Sequence, residues 1–245
     1  MVQKDKPLLY LDTHSGRGYY DLSDPHALKT QEATMGIKRL WDLRKNLPKD
    51  FLRYINIIAS HNPDGLLRHY PGSSMFAINL LRPTDRLCLS ELHPGEFEYL
   101  HDKMRHYPRV HCANNDGYTQ LHALLPPKER RALILIDPSY EVKTEYKHMT
   151  QVVAAAYRQF ETGVYCIWYP LIDNKLHQQV IRGFESISAD KHLRGEFYFK
   201  PDYQDGLRGY GMWIINPPFT LSRHLKVIFE TLRQLFYPKA SYLIE

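Results

Sequence analysis

Short apolar segments alternate with segments of helical periodicity along most of this 245-residue chain. The apolar segments have the length and composition of strands, at residues 7–12, 86–91, 109–114, 132–137, 164–170, 196–199 and 211–216. The segments with helical periodicity are 74–82, 95–106, 117–124, 144–160, 174–186 and 220–236. This order predicts an α/β fold in which a doubly wound, mostly parallel sheet is joined by right-handed crossovers. The length suits one large domain, residues 1–245.

The last two predicted strands, 196–199 and 211–216, are joined by the loop KPDYQDGLRG and by no helix. Because parallel strands need a long crossover, these two strands are predicted to pair as an antiparallel hairpin at the C-terminal end of the sheet. The remaining strands end at one common edge. In open α/β sheets, ligands bind outside the carboxyl ends of the strands, so functional residues are expected there.

Residues 22–69 interrupt the alternation and are predicted to form a small helical insert, a subdomain within the single domain. Its apolar residues fall on helical stripes, and the sequence Asn46-Leu47-Pro48 breaks it into two short helices. Between Leu22 and Tyr70 the insert has a net charge of +3. Contact with nucleic-acid phosphates and an ordinary solvated surface both remain open as explanations of that charge.

Composition excludes several classes of protein. The net charge of +5 is compatible with a polyanionic partner but does not require one. No apolar run has the length of a signal-peptide core or a membrane span, so no membrane partner is expected. Cys88, Cys112 and Cys166 lie in apolar runs without C-x-x-C spacing, which predicts reduced core residues of a cytoplasmic protein. The histidines form no metal-binding motif, so no metal site is expected.

Polar residues end the first three predicted strands. Asp12 begins the pattern D-x-x-x-G-x-G with Gly16 and Gly18, whose glycines allow a tight turn and a close approach to a ligand. Glu91 ends the second strand, where an acidic residue typically accepts hydrogen bonds from ribose hydroxyls. Asp116 follows the third strand. Taken singly, each residue also has an ordinary structural explanation. The loop after Asp12 could be a plain glycine turn, Glu91 an exposed loop carboxylate, and Asp116 part of a generic Asp-Gly turn.

The spacing of these residues depends on the insert. Asp12 and Glu91 lie 79 residues apart, whereas about 20 is usual in nucleoside-binding folds, and the helical insert accounts for the difference. A fourth acidic residue, Asp137, ends the fourth strand. Four acidic residues in this order are predicted to meet at one edge of the sheet, which favours a nucleoside-cofactor site.

Two tetrads resemble the Asp/Asn-Pro-Pro-Tyr/Phe motif of amino-methyltransferases: Asp137-Pro138-Ser139-Tyr140 and Asn216-Pro217-Pro218-Phe219. The first ends the fourth strand beside the other acidic residues. The second ends the last strand and leads into a helix, so we interpret it as a decoy. In the first, the Asp137 carboxylate and the Pro138 carbonyl would accept the N–H groups of an amine while Tyr140 stacks on the base.

The chain resembles the ribosomal RNA large-subunit methyltransferase J family, which methylates adenine N6 in 23S rRNA. The resemblance runs through KPLLYLDTHSGRG, RHYPGSSMFAINLLRPTDRLCLSELHP, NNDGY, ALILIDPSYE, IWYP and GMWIINPP. It implies a class I, Rossmann-like methyltransferase that uses S-adenosylmethionine and binds ribosomal RNA. Together with the glycine loop, the cofactor-binding set is Asp12, His14, Gly16, Ser73, Glu91, Asp116, Gly117 and Asp137. The catalytic set is Asp137, Pro138 and Tyr140.

The family is also similar to proteins labelled as needed for the use of external DNA. A second hypothesis, based on the positive charge, on Ser139 and on the short segment ahead of the first strand, is a catalytically weak nucleic-acid-binding protein linked to the use of external DNA, with DNA as a partner. A nicotinamide dehydrogenase is disfavoured by the glycine spacing. In either favoured case we expect a cytoplasmic monomer.

Two departures from the family pattern affect the expected activity. Ser139 replaces a proline, which is expected to loosen the loop without abolishing activity. Family members also begin with a few dozen residues ahead of the first strand, whereas this sequence reaches that strand at residue 7. From this resemblance we expect a chain of this length to close its site less completely, binding cofactor weakly and transferring methyl slowly.

Overall fold

The computed structural model describes residues 1–24, 33, 36–140, 144–172, 174–199, 206–236 and 239–245, with the backbone alone for residues 174 and 175. The strands are β1 (Leu9–Asp12), β2 (Tyr19–Asp21), β3 (His69–Pro71), β4 (Arg86–Ser90), β5 (Val110–Ala113), β6 (Ala132–Ile136), β7 (Val164–Leu171), β8 (His192–Tyr198), β9 (Gly209–Ile215) and β10 (Ser241–Ile244). The helices are α1 (Ile37–Asp42), α2 (Leu52–Ser60), α3 (Ser73–Leu80), α4 (Pro94–Met104), α5 (Gly117–Leu124), α6 (Thr144–Gln159), α7 (Asn174–Glu185) and α8 (Leu221–Phe236).

Eight strands form the main sheet in the order β10-β8-β9-β7-β6-β1-β4-β5. The five strands β5, β4, β1, β6 and β7 are parallel, and β9 pairs antiparallel with both β7 and β8. The predicted doubly wound sheet and its C-terminal antiparallel hairpin are confirmed. This strand order and the helices around the sheet are those of a class I methyltransferase fold.

Helices cover both faces of the sheet, so the parallel strands are nearly continuous runs of apolar residues. On one face, Leu9 and Leu11 pack with side chains of α5, α6 and α7 in the largest core cluster. On the other face, Leu8 and Tyr10 pack with α3 and α4. Helix α8 covers the hairpin end of that second face, where Leu225 lies against Leu193 and Ile214. Burial from both sides fixes the positions of the strand ends.

Two small sheet elements were not predicted. Strand β10 pairs antiparallel with β8 and adds an eighth strand to the sheet. Strands β2 and β3 form a separate two-stranded ribbon in which Tyr20 is opposite Tyr70. This ribbon brings the two ends of the insert together.

The insert contains α1 and α2 with two short 3₁₀ turns between them, Arg44–Asn46 and Lys49–Phe51. Leu22, Ile37, Trp41 and Ile58 form a small core cluster of their own. Residues 25–32 and 34–35 of the predicted insert lie outside the described residues. The break between the two helices falls where Asn46-Leu47-Pro48 predicts it.

Within the described ranges, no helix has both the length and the apolar character needed to cross a lipid bilayer. The same residues contain no group of three or more side chains placed to hold a metal ion. All three cysteines are free; Cys88 is buried, as predicted, while Cys112 and Cys166 are half-buried.

Candidate active site

The predicted acidic residues lie at adjacent strand ends. Strand β1 lies between β4 and β6, and Asp12 is level with Leu89 of β4 and Leu135 of β6. Glu91 and Asp137 each follow that level by two residues along their strands. Strand β5 lies next to β4, and Asp116 comes three residues after its end. The sheet therefore brings all four strand ends to one edge, as the sequence predicts.

The glycine loop after β1 turns tightly and is tied to Glu91. Gly16 and Gly18 have φ values of +57° and +73°, in the left-handed region that favours glycine. A Cβ on Gly16 would lie 2.5 Å from the Tyr20 hydroxyl. The Gly16 N–H donates to Glu91 Oε2 at 2.8 Å, and the His93 N–H donates to Glu91 Oε1 at 2.8 Å. Because each carboxylate oxygen accepts about two hydrogen bonds, Glu91 retains acceptor capacity for ribose hydroxyls.

Asp12 lies behind the glycine loop and does not line the cavity beside it. Its side chain is fully buried and accepts hydrogen bonds from the Tyr10 hydroxyl at 3.0 Å and from Ser73 Oγ at 2.6 Å. Burial raises the pKa of this carboxyl, although these hydrogen bonds oppose the effect. The prediction placed Asp12 in direct contact with cofactor. In this structure Asp12 fixes Ser73, which lines the cavity, and contact of Asp12 with cofactor stays a prediction.

His14 lines the same cavity and is held by two contacts. Its Nδ1 lies 2.7 Å from Thr13 Oγ1, and its ring meets the edge of the Tyr118 ring with centroids 5.1 Å apart. Burial lowers the pKa of His14 to about 4, and Asp116 opposes this shift only in part. His14 is therefore neutral at physiological pH and can serve as a hydrogen-bonding group without a charge.

Asp116 is the N-cap of α5. Its carboxylate accepts hydrogen bonds from the Tyr118 N–H at 3.1 Å and from Thr119 Oγ1 at 2.8 Å. A Cβ on Gly117 would lie 1.9 Å from the Thr13 carbonyl oxygen, which no side chain could tolerate. Gly117 is thus required by the close approach of α5 to the glycine loop, a reason more specific than a generic turn. Asp116 itself is exposed at that junction.

Asp137 differs from the other three acidic residues because no described residue donates a hydrogen bond to its carboxylate. Its side chain reaches the surface of the cavity, and within the described residues no donor contacts its carboxylate. Dense protein surroundings nevertheless desolvate the group and raise its pKa to about 7, with a further contribution from the charge of Asp12. The carboxylate is therefore ready to accept hydrogen bonds from a ligand and gains its charge near neutral pH.

Tyr140 lies deeper than the sequence predicts. Its ring is 7% exposed and packs against Tyr146 and Trp168, with centroids 4.6 and 5.8 Å away. Its hydroxyl donates to the Trp168 carbonyl oxygen, and its backbone φ is +55°. In this arrangement Tyr140 anchors the loop after β6, while Ser139 points to solvent and Pro138 is buried. Its predicted stacking on a base stays a prediction.

The second tetrad lies at the opposite edge of the sheet. Strand β9 runs antiparallel to β7, and its last residue, Ile215, is opposite Tyr165 near the start of β7. Asn216 uses its side-chain amide to donate to the carbonyl oxygens of Glu161 and Gly163, at 2.7 and 2.8 Å. It therefore ties two loops together and is remote from the glycine loop, in agreement with its interpretation as a decoy.

A cavity of about 980 Å³ lies beside Asp137. The glycine loop and Ser73 line one part of it. The insert, its flanking strands and α3 line another part of the cavity. Their lining residues belong to no motif that predicts a site: Tyr20, Ile37, Leu40, Tyr54, Tyr70 and Phe76. Sequence offers little signal for this set, because its members come from several elements that only the folded chain brings together.

Comparisons with known proteins match nearly the whole chain. The family described as "Ribosomal RNA large subunit methyltransferase D, RlmJ" matches residues 5–243. The chain is 40% identical to "Ribosomal RNA large subunit methyltransferase J" of Escherichia coli (strain K12) over 239 residues, which cover 97% of this chain and 85% of the relative. Identity to the protein of the same name from Haemophilus influenzae is also 40%, over 240 residues, with the same coverage.

Among solved structures, the fold is similar to a crystal structure of a protein from Legionella pneumophila (strain Philadelphia 1). The two have a TM-score of 0.93 and are 46% identical, and the match covers 99% of this chain and 90% of that one. Sequence and backbone comparisons therefore agree over nearly the whole length of the chain.

Proposed function

The chain belongs to the family of ribosomal RNA large subunit methyltransferases D and J, and from this premise we propose that it methylates the N6 amine of an adenine in 23S rRNA. Family membership makes it an enzyme that modifies ribosomal RNA with S-adenosylmethionine as methyl donor. The choice of adenine N6 is supported by the tetrad at Asp137, whose carboxylate is accessible from the cavity and accepts no hydrogen bond from the described residues. That observation carries the proposal.

The residues around the glycine loop fit S-adenosylmethionine. The spare acceptor capacity of Glu91 suits the ribose hydroxyls, and the exposed Asp116 at the start of α5 suits the adenine amine of the cofactor. Gly117 keeps α5 close enough to the glycine loop for both to contact one ligand. His14 and Ser73 line the cavity, where they can hold the methionine end. The cofactor supplies an electrophilic methyl group on a sulfonium ion.

The protein's part of the chemistry is to prepare the amine. An exocyclic adenine amine is a poor nucleophile because its lone pair is delocalised into the ring. The Asp137 carboxylate and the Pro138 carbonyl each accept one N–H, which favours a tetrahedral nitrogen with a localised lone pair. Positioning and electrostatic stabilisation of this kind are the main sources of acceleration in such a site. The ionised form of Asp137 is the stronger acceptor and carries no competing O–H donor, so its raised pKa links activity to pH.

The proposal also covers the oligomeric state of the enzyme and its place in the cell. We take the enzyme to act as a monomer in the cytoplasm; sedimentation at working concentration and cell fractionation test these points.

The alternative of a weak nucleic-acid-binding protein linked to external DNA is not favoured by the match to a methyltransferase family. Ser139 is exposed, and we propose that its replacement of a proline leaves the Asp137 carboxylate and the Pro138 carbonyl available.

Transfer of a radiolabelled methyl group tests the proposed function. The substrate is 23S rRNA from cells that lack the endogenous modification, and the product is digested to nucleosides and separated. The expected product is N6-methyladenosine. Label in another nucleoside would overturn the choice of adenine N6, and no incorporation into rRNA at any protein concentration would overturn the proposed activity.

A further inference from the structure

The insert side of the cavity is aromatic. Tyr54 of α2, Tyr70 of β3 and Phe76 of α3 all line it, and we refer to these three residues as the aromatic wall. Tyr54 stacks on Phe76 with ring centroids 5.3 Å apart and planes 6° from parallel. Tyr70 meets Phe76 edge-on at 6.1 Å. The three rings therefore hold one another in fixed orientations.

The aromatic wall also presents a polar group. The Tyr54 and Tyr70 hydroxyls lie 3.1 Å apart, and burial raises the pKa of both groups, so both stay protonated. A hydrogen bond between two hydroxyls uses only one of their two hydrogens. Within the described residues neither hydroxyl has another partner. One hydroxyl hydrogen is thus left to donate to a ligand acceptor.

Packing within the insert explains only part of this arrangement. The fully buried core of the insert is formed by Leu22, Ile37, Trp41 and Ile58. Residues of the aromatic wall are only partly buried and border the cavity that Asp137 also lines. At about 980 Å³, the cavity is at the upper end of the range of about 300–1,000 Å³ typical of ligand sites. It has space for a base beside the methionine end of a cofactor.

An aromatic surface stabilises an unstacked base, and the Tyr140 ring offers little exposed area for this purpose. The Tyr140 ring is 7% exposed, it packs against Tyr146 and Trp168, and its hydroxyl is bound to a backbone carbonyl. A base that leaves an RNA stack loses stacking energy, which aromatic side chains commonly restore. Partly exposed aromatic rings that share the cavity with Asp137 lie on its insert side.

We propose that the aromatic wall receives the target base, so that the unstacked adenine lies against Tyr54, Tyr70 and Phe76 while its amine reaches Asp137. The spare hydroxyl hydrogen of the tyrosine pair donates to N1, N3 or N7 of the base, the ring nitrogens of an adenosine that accept hydrogen bonds. This inference rests on the proposed function and assigns Tyr54 of the insert, together with its neighbours Tyr70 and Phe76, a role in holding the base.

The test compares Tyr54→Leu and Tyr70→Phe with the control Tyr242→Phe, which lies in β10 at the far edge of the sheet. Two affinities are measured for each variant: that for S-adenosylhomocysteine alone, and that for unmodified 23S rRNA in the presence of S-adenosylhomocysteine. Methyl transfer gives kcat/KM for the rRNA. Loss of one base-stacking contact typically lowers affinity by roughly 10-fold.

We expect Tyr54→Leu to lower kcat/KM and rRNA affinity by about 10-fold. Tyr70→Phe should lower both quantities a few-fold, and the control should change neither. Affinity for S-adenosylhomocysteine should stay unchanged in all three. The inference is overturned if cofactor affinity falls while rRNA affinity is retained, or if no variant differs from the control. Should Tyr54→Leu fail to fold, Phe76→Leu replaces it under the same criteria.

The same measurements separate this inference from the proposed function. If the wild-type protein transfers no methyl group, the proposed function fails. The rRNA affinities measured with S-adenosylhomocysteine then still decide whether the aromatic wall contacts RNA.

Discussion

The two proline-containing tetrads have similar sequences and opposite places in the fold. Each follows a strand, and each contains a residue with φ of +55°, Tyr140 in one and Asn216 in the other. Strand β6 is parallel to β1, whereas β9 is antiparallel to its neighbours, so the two tetrads lie at opposite edges of the sheet. Strand direction, more than the letters of the motif, decides which tetrad faces the glycine loop.

The polar side chains of the two tetrads differ in the same way. The Asn216 amide is fully occupied by two carbonyl oxygens, as expected of a structural tie. The Asp137 carboxylate accepts nothing from the described residues and has a raised pKa of about 7. The aromatic residues differ as well, because Phe219 is fully exposed and Tyr140 is buried. A perturbed, unpartnered group in a cavity is typical of a functional site.

Replacing the polar residue of each tetrad should give the largest difference between the two tetrads in the rate of methyl transfer. Asp137→Ala removes a positioned acceptor and is expected to lower the rate of methyl transfer by about 10²–10³. Asn216→Ala, assayed below its unfolding temperature, should keep a turnover within a few-fold of wild type. Both variants are assayed on the same rRNA with saturating S-adenosylmethionine. Equal losses in the two variants would mean that the comparison has selected the wrong tetrad.

The edge that carries Asp137 should also be the edge that binds cofactor. Glu91→Ala removes a charged acceptor and the bonds that fix the Gly16 and His93 N–H groups. It is expected to weaken binding of S-adenosylhomocysteine by about 1.5–3 kcal/mol, measured by titration calorimetry. Glu98→Ala, an exposed carboxylate on α4, is the matched control and should bind normally. Unchanged affinity in Glu91→Ala would remove Glu91 from the site.

At the opposite edge of the sheet, replacing Asn216 should lower the free energy of unfolding more than it lowers activity. Asn216→Ala loses two hydrogen bonds and forces alanine into the left-handed region, so it should reduce the free energy of unfolding by about 2–3 kcal/mol. Asn216→Gly loses the same bonds without the backbone strain and should be about 1 kcal/mol more stable than the alanine variant. Denaturant unfolding measures both. An alanine variant as stable as wild type would refute the structural role of Asn216.

Asp137 should affect stability in a pH-dependent way. Its pKa is raised from 3.8 to about 7, so the folded state disfavours the ionised form. The resulting loss of stability is absent below about pH 4, grows between pH 4 and 7 and is constant above that. Asp137→Asn lacks this loss, so the difference in melting temperature between variant and wild type should increase from pH 4 to pH 8. A difference that is constant with pH would contradict the raised pKa.

The features of the fold that depend on local sequence patterns can be predicted from the sequence. The strand–helix alternation gives the sheet, the loop between 199 and 211 gives the hairpin, and the order of Asp12, Glu91, Asp116 and Asp137 gives the edge. Strands β2 and β3 were missed because they are three residues each and lie about 50 residues apart, too short for periodicity to appear.

The remaining differences depend on tertiary contacts. Tyr140 is buried because Tyr146 and Trp168 surround its ring, and neither neighbour is adjacent in sequence. Asp12 is fully buried and binds Tyr10 and Ser73, the latter 61 residues away, so its burial depends on contacts that spacing does not reveal. The aromatic wall likewise combines residues from α2, β3 and α3. Motif spacing identifies the loops of a site, but the side chains that line its cavity follow from packing.

The dependence of kcat/KM on pH tests the central claim, that the ionised Asp137 carboxylate prepares the amine for methyl transfer. The raised pKa predicts that wild-type kcat/KM rises with pH through a limb near pH 7, because the acceptor gains its charge there. Asp137→Asn should have low activity that does not rise over the same limb. A wild-type rate that is level between pH 6 and 8, together with an active Asp137→Asn variant, would contradict the account.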